Sequence, residues 1–187
     1  MIYSLNMKKE SPYRLTQNQK NEIAQNLLDI LQADSTITKD TKTFICNWIL
    51  TDYLGKTKAF YDVWDIVLRN YLPVKRPILF RSCQRKIVKN RIASFTGSLN
   101  CVMRFSKRKG YLIICNSKDQ LQHEAKFNKK GNYKNTFYPL VNVLKKAQKS
   151  DGWGFSANFL EEFIGEDEHI MHTNFENNCV LKWAEIS

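Results

Sequence analysis

Residues 60–80 read Phe60-Tyr61-Asp62-Val63-Trp64-Asp65-Ile66-Val67-Leu68-Arg69-Asn70-Tyr71-Leu72-Pro73-Val74-Lys75-Arg76-Pro77-Ile78-Leu79-Phe80, and the hydrophobic period changes within them. Phe60, Val63, Trp64, Val67, Leu68 and Tyr71 recur at the spacing of one helical face. Pro73 stops that helix, because proline has no N–H to continue the ladder. After Pro77 the run Ile78-Leu79-Phe80 has the length and flanks of a short buried strand.

Upstream, the same helical period holds. Ile23, Leu27, Leu28 and Leu31 follow Thr16 as a cap, and Phe44, Ile45, Trp48 and Ile49 follow Thr41. Asp34-Ser35 and Gly55 separate the three helices. Their apolar stripes need a surface to cover. Downstream, 91–96, 111–115, 168–173 and 179–186 read as strands, with helices expected over 99–105 and 138–149. Residues 117–135 are a polar connection, and 150–156 form a loop of glycine and aromatic residues. Helices first and strands later predict an α+β protein: a helical region over 1–73 packed on a core over 74–187, one compact domain in all.

The chain has 187 residues, 43% hydrophobic and 12% aromatic, with 7 Gly and 4 Pro, which excludes disordered and collagen-like classes. No stretch approaches the roughly 20 apolar residues of a membrane helix, and residues 1–20 lack a signal-peptide core. A soluble, cytoplasmic protein without membrane contact is expected. Cys46, Cys83, Cys101, Cys115 and Cys179 are widely spaced without a C-x-x-C pair, so packed, reduced thiols are expected. His123, His169 and His172 do not pair with them at ligand spacing, so no metal site is expected.

Charge is segregated. Residues 1–80 carry a net +3, residues 81–149 a net +15 from 17 basic and 2 acidic side chains, and residues 150–187 a net −7. A solvated lysine-rich surface accounts for such a block, and so does a partner bearing phosphates. Tyr111, Phe127, Tyr133 and Phe137, interspersed in the basic block, leave a nucleic-acid-binding module open as an alternative.

Three motifs carry candidate chemistry. Arg81 ends the apolar strand Leu79-Phe80-Arg81-Ser82, where a guanidinium suits either solvent or a phosphate. The stretch Arg91-Ile92-Ala93-Ser94-Phe95-Thr96-Gly97-Ser98-Leu99 runs a strand through a hydroxyl-rich turn into a helix. Ser98 suits a helix cap, and Thr96 or Ser98 suits a hydrogen bond that fixes a carboxylate. In Glu166-Asp167-Glu168-His169-Ile170-Met171, two glutamates two apart on an extended chain share one face, with Cβ atoms about 7 Å apart. Such a pair is either an exposed acidic turn or a strained pair in a cleft.

In this order the three motifs resemble the arginine-directed mono-ADP-ribosyltransferases, most nearly the small accessory Mod-type enzymes of T-even-like bacteriophages. The likeness is specific over about 30 residues, those of the strand, hydroxyl turn and Glu-x-Glu stretch, and loose elsewhere. It implies an ADP-ribosyltransferase-like fold of two small packed β-sheets behind a helical region, and NAD as co-substrate. It implies transfer of ADP-ribose to an arginine of a host protein, one that travels with RNA or serves transcription, translation or defence. The site it implies has Glu168 stabilising the oxocarbenium-like transition state and Glu166 orienting and deprotonating the guanidinium. Thr96 would hold Glu168, Ser98 would support the turn, Arg81 and Ser82 would contact NAD, and Phe105 would stack near nicotinamide. Trp153 and Phe155 fall in the family's substrate-recognition loop. Two positions depart from the pattern: Ser82 stands where glycine is frequent, and Thr96-Gly97 where serine is the commoner start of the turn. A transferase-like fold that inhibits a host complex without catalysis is the other reading, joined to nucleic-acid binding.

Overall fold

The computed structural model describes residues 13–52, 54–75, 77–85, 91–118, 137–173 and 178–186, and the change of period after Pro73 is the boundary between helices and sheet. Helix α1 (Gln17–Gln32) starts on a reciprocal capping box between Thr16 and Gln19. Helix α2 (Lys39–Leu50) begins earlier than its sequence suggests: Thr38 is the cap, accepting from the Thr41 N–H, and Thr41 is buried in the helix. Helix α3 (Lys58–Asn70) ends before Pro73, as expected.

Strands β1 (Ile78–Cys83), β2 (Arg91–Thr96), β3 (Tyr111–Asn116), β4 (Phe137–Tyr138), β5 (Glu168–Thr173) and β6 (Cys179–Lys182) form one antiparallel sheet in the order β4-β5-β2-β1-β3-β6. Between them lie α4 (Leu99–Ser106), α5 (Leu140–Lys149) and α6 (Ala157–Glu166). The α+β class is as expected; the two separate small sheets are not. Strands β2 and β5 stay in register from Arg91↔Thr173 to Thr96↔Glu168, and β1 and β3 from Ile78↔Asn116 to Cys83↔Tyr111. The halves join at Phe80↔Thr96, the one registered β1–β2 pair among the described residues. Beside that pair the Arg81 guanidinium donates to the Ser94 carbonyl, so a side chain takes an acceptor that a longer ladder would give to a backbone N–H.

Three local expectations also change. Tyr138 belongs to β4, and α5 starts only after Pro139. The last strand stops at Lys182, where Trp183–Glu185 tightens into a 3-10 turn. Helix α6 is new: Ser156 caps it, and Phe159, Leu160 and Phe163 supply a short apolar face that Glu161, Glu162 and Gly165 obscure in the sequence.

One core unites both halves of the sequence. Buried side chains of α1, α2, α3, α5 and α6 pack with Ile92, Tyr138 and Ile170 of the sheet, so the boundary at residue 73 divides the sequence but not the packing. The opposite sheet face gathers Leu79, Ala93, Phe95, Ile113, Cys115, Phe137 and Met171. Phe44, Trp48, Phe60 and Trp64 contact one another at ring distances of 5.3–5.9 Å, which fixes the Trp48 indole. Cys101 and Cys115 are buried, whereas Cys179 is exposed, contrary to the expected packing. Among the described residues no helix is long and apolar enough to cross a membrane.

Gly110 sets the start of β3. Its φ is +78°, and a Cβ there would lie 2.3 Å from the Cys83 carbonyl oxygen. Backbone cannot yield as a side-chain tip can. Gly110→Ala is therefore expected to cost about 2–3 kcal/mol, a fall of about 5–10 °C in melting temperature. An unchanged thermal unfolding curve would contradict this close approach.

Candidate functional site

A cavity of about 300 Å³ lies where β5 begins and β2 ends, with the helical layer on its other side. Register places the sheet residues: Thr96 pairs with Glu168 on one side and with Phe80 on the other. Arg81, Ser82, Thr96, Phe105, Glu166 and Glu168 all line this one cavity, although 87 residues separate Arg81 from Glu168. Helix α2 supplies Trp48, the α2–α3 loop supplies Lys56, and β2 adds Ser94.

Glu168 is held by groups that the sequence reading did not assign to it. The Trp48 indole N–H donates to its Oε1 at 3.0 Å, and the Ser94 hydroxyl bonds the same carboxylate. Burial raises its pKa above the ordinary value; these two hydrogen bonds and the Lys56 and Arg81 charges oppose the rise without cancelling it. Thr96 does not hold Glu168 as expected. Its hydroxyl donates to the Glu166 carbonyl at 2.7 Å and accepts from the Ser98 N–H at 3.0 Å, tying the turn to the end of α6.

Glu166 and Glu168 do not sit on one extended strand. Glu166 is the last residue of α6, Asp167 turns the chain at φ 50°, and Glu168 opens β5. Both carboxylates nevertheless reach the cavity. Burial, then the Glu168 charge, then Glu162 push the Glu166 pKa up, against the pull of Arg104. Gly97 adjoins this junction: its N–H donates to the Asp167 carbonyl at 3.3 Å, and a Cβ would lie 2.2 Å from Asp167 Oδ2, a side-chain tip that can swing aside.

Ser82 lines the cavity, its hydroxyl donating to the Tyr111 carbonyl and accepting from the Trp183 indole. Ser98 lies outside the lining and caps α4 by accepting from the Cys101 N–H. Phe105 is 66% exposed at the rim, accessible to a ligand rather than packed. Trp153 and Phe155 lie outside the cavity: Phe155 is buried and stacks on Phe159 at 5.3 Å, and Trp153 is half-buried against the helical core. The Lys42 ammonium pins their loop by donating to the Gly154 carbonyl at 2.6 Å.

The basic turn Lys107-Arg108-Lys109 is exposed beyond α4. Of the aromatics that suggested base stacking, Phe137 is in the core, Tyr111 is half-buried in β3, and Phe127 and Tyr133 lie outside the described residues, as do Lys129-Lys130 and His123. Among the described residues no cluster of His, Cys, Asp and Glu is placed to hold a metal ion.

Sequence reasoning missed Trp48, Lys56 and Ser94. Trp48 lies on an apolar stripe and is 1% exposed, yet a buried indole N–H still requires an acceptor, which was the available signal. No protein-family model, curated protein or solved structure matches the chain.

Proposed function

We propose that this protein is an NAD-dependent mono-ADP-ribosyltransferase acting on arginine of a protein acceptor. The observation that supports it is the convergence of Arg81, Thr96 and the Glu166–Glu168 pair on one cavity from three separate stretches. A volume of about 300 Å³ is at the lower end of small-molecule sites, enough for the nicotinamide riboside end of a dinucleotide. Arg81 offers a cation to its phosphates, and the exposed Phe105 ring offers a stacking surface at the rim.

Bound NAD supplies a ribosyl carbon bearing nicotinamide as leaving group. Glu168, already anchored by Trp48 and Ser94, accepts from a ribose hydroxyl and places negative charge where positive charge develops. Glu166 orients the incoming guanidinium and takes the proton it sheds, since arginine is otherwise protonated at any physiological pH. One C–N bond breaks as nicotinamide leaves, one C–N bond forms to arginine, and the proton ends on Glu166. The acceptor is a host protein in the infected cell's cytoplasm, a reading that rests on the resemblance to phage enzymes and on the basic 81–149 block, which suits acceptors associated with RNA.

Incubation with labelled NAD and bacterial lysate tests this. Wild type is expected to label protein; no label, or equal label from Glu168→Ala, contradicts the reading.

A further inference from the structure

Lys56 follows the Gly55 turn between α2 and α3 and reaches the cavity from the helical layer. Its ammonium lies 4.4 Å from the Trp48 ring centroid and donates to the Thr51 carbonyl at 2.6 Å. The Trp48 indole in turn donates to Glu168 at 3.0 Å. Cation, indole and carboxylate therefore stand in one contiguous chain. A cation on the face of an indole withdraws electron density from the ring, and its N–H becomes a stronger donor.

We propose that Lys56 is a positioning residue for Glu168, acting through the Trp48 indole and its own charge to keep that carboxylate ionised and in one orientation. Groups from each element packed against Glu168 act with or against this role. From β1 comes Arg81, a second cation; from β2 the Ser94 hydroxyl; from α6 Glu166, which opposes ionisation, itself influenced by Glu162 and Arg104. On β5, the neighbouring His169 alternates to the opposite face, where burial lowers its pKa. Burial also lowers the Lys56 pKa, Glu168 and Asp52 oppose that shift, and Arg81 reinforces it. Lys56 and Glu168 thus favour each other's charge. Lysine rather than a neutral residue is what the relay requires.

Titration of ¹³C-labelled glutamate carboxyls by NMR in the full chain decides the matter without reference to catalysis. In Lys56→Gln the Glu168 midpoint is expected to move upward, and in Lys56→Arg to return toward wild type. Trp48→Phe, which deletes the relaying N–H, must raise the same midpoint. An unmoved midpoint in either folded Lys56→Gln or Trp48→Phe overturns the proposal, so failure of one variant to fold leaves the other decisive. The kinetic part alone rests on the transferase reading: kcat falls in Lys56→Gln while KM for NAD holds, the loss deepens as pH falls, and Lys56→Arg restores it. A raised KM with an unmoved midpoint makes Lys56 a ligand contact and overturns the positioning role. An inactive wild type with the midpoint shift intact overturns the transferase reading instead.

Discussion

Glu168→Gln is expected to cut the proposed ADP-ribose transfer by orders of magnitude and, at neutral pH, to make the protein more stable. The carboxylate is placed where positive charge would develop on the ribose, and losing such a group costs roughly 10²–10³ in rate or more. The stability gain follows from linkage. The Glu168 pKa in the folded state is raised above its ordinary value, chiefly by burial. Below the ordinary glutamate value of about 4.3, both folded and unfolded chains carry the proton and no penalty exists. As pH rises from there through the folded-state value, the unfolded chain ionises first and stability is lost. At neutral pH the acidic Glu168 is therefore a net burden on the fold, and a neutral amide removes it while keeping an oxygen for the Trp48 N–H. Each kcal/mol recovered raises the melting temperature by about 2–4 °C. Thermal unfolding should show the variant above wild type at neutral pH and the difference shrinking on acidification. A variant less stable at neutral pH would contradict the charge argument, and one with full activity the chemical one.

Glu166→Ala is expected to separate two reactions of the proposed transferase. Arginine transfer is expected to fall by about 10²–10⁴, the range for loss of a general base, while hydrolysis of NAD persists because Glu168 remains. Equal loss of both would show that Glu166 serves bond cleavage rather than the acceptor. The raised Glu166 pKa adds a pH signature: burial and the Glu168 charge make it a stronger base than an ordinary glutamate, so the acid limb of transfer lies above the usual carboxylate range. Neutralising Glu168 as glutamine removes one cause, so the Glu166 midpoint should fall in that variant, measured by the same carboxyl titration.

Periodicity made the helices and most strands legible. The stripe of α3, the stop before Pro73 and the strands at 78, 91, 111 and 168 need only local sequence, because amphipathic spacing and proline act within a turn or two. What was not legible was set by distant pairing. Arg81 reaches across to the Ser94 carbonyl, and nothing near Arg81 in sequence tells that β1 and β2 share one registered pair. Helix α6 was hidden because it is 10 residues long and its acidic side chains dilute a short apolar face. With α6 hidden, Glu166 and Glu168 read as a strand pair, whereas a left-handed Asp167 stands between helix and strand and both glutamates line the cavity. Arg81, Thr96 and Glu168 line one cavity, but Glu168 bonds Ser94, two residues from Thr96 on β2, and Trp48 from the helical layer, while Thr96 bonds the Glu166 carbonyl.

The direct test of the shared cavity is a titration of the ¹⁵N-labelled protein with a carbocyclic NAD analogue whose nicotinamide bond cannot be broken. The Trp48 indole N–H and the Arg81 guanidinium N–H resonances are expected to shift together along one binding curve, and to lose that response in Arg81→Gln at Trp48. Binding that leaves both resonances unmoved, or no binding by the wild-type chain, would show that these residues do not surround a dinucleotide.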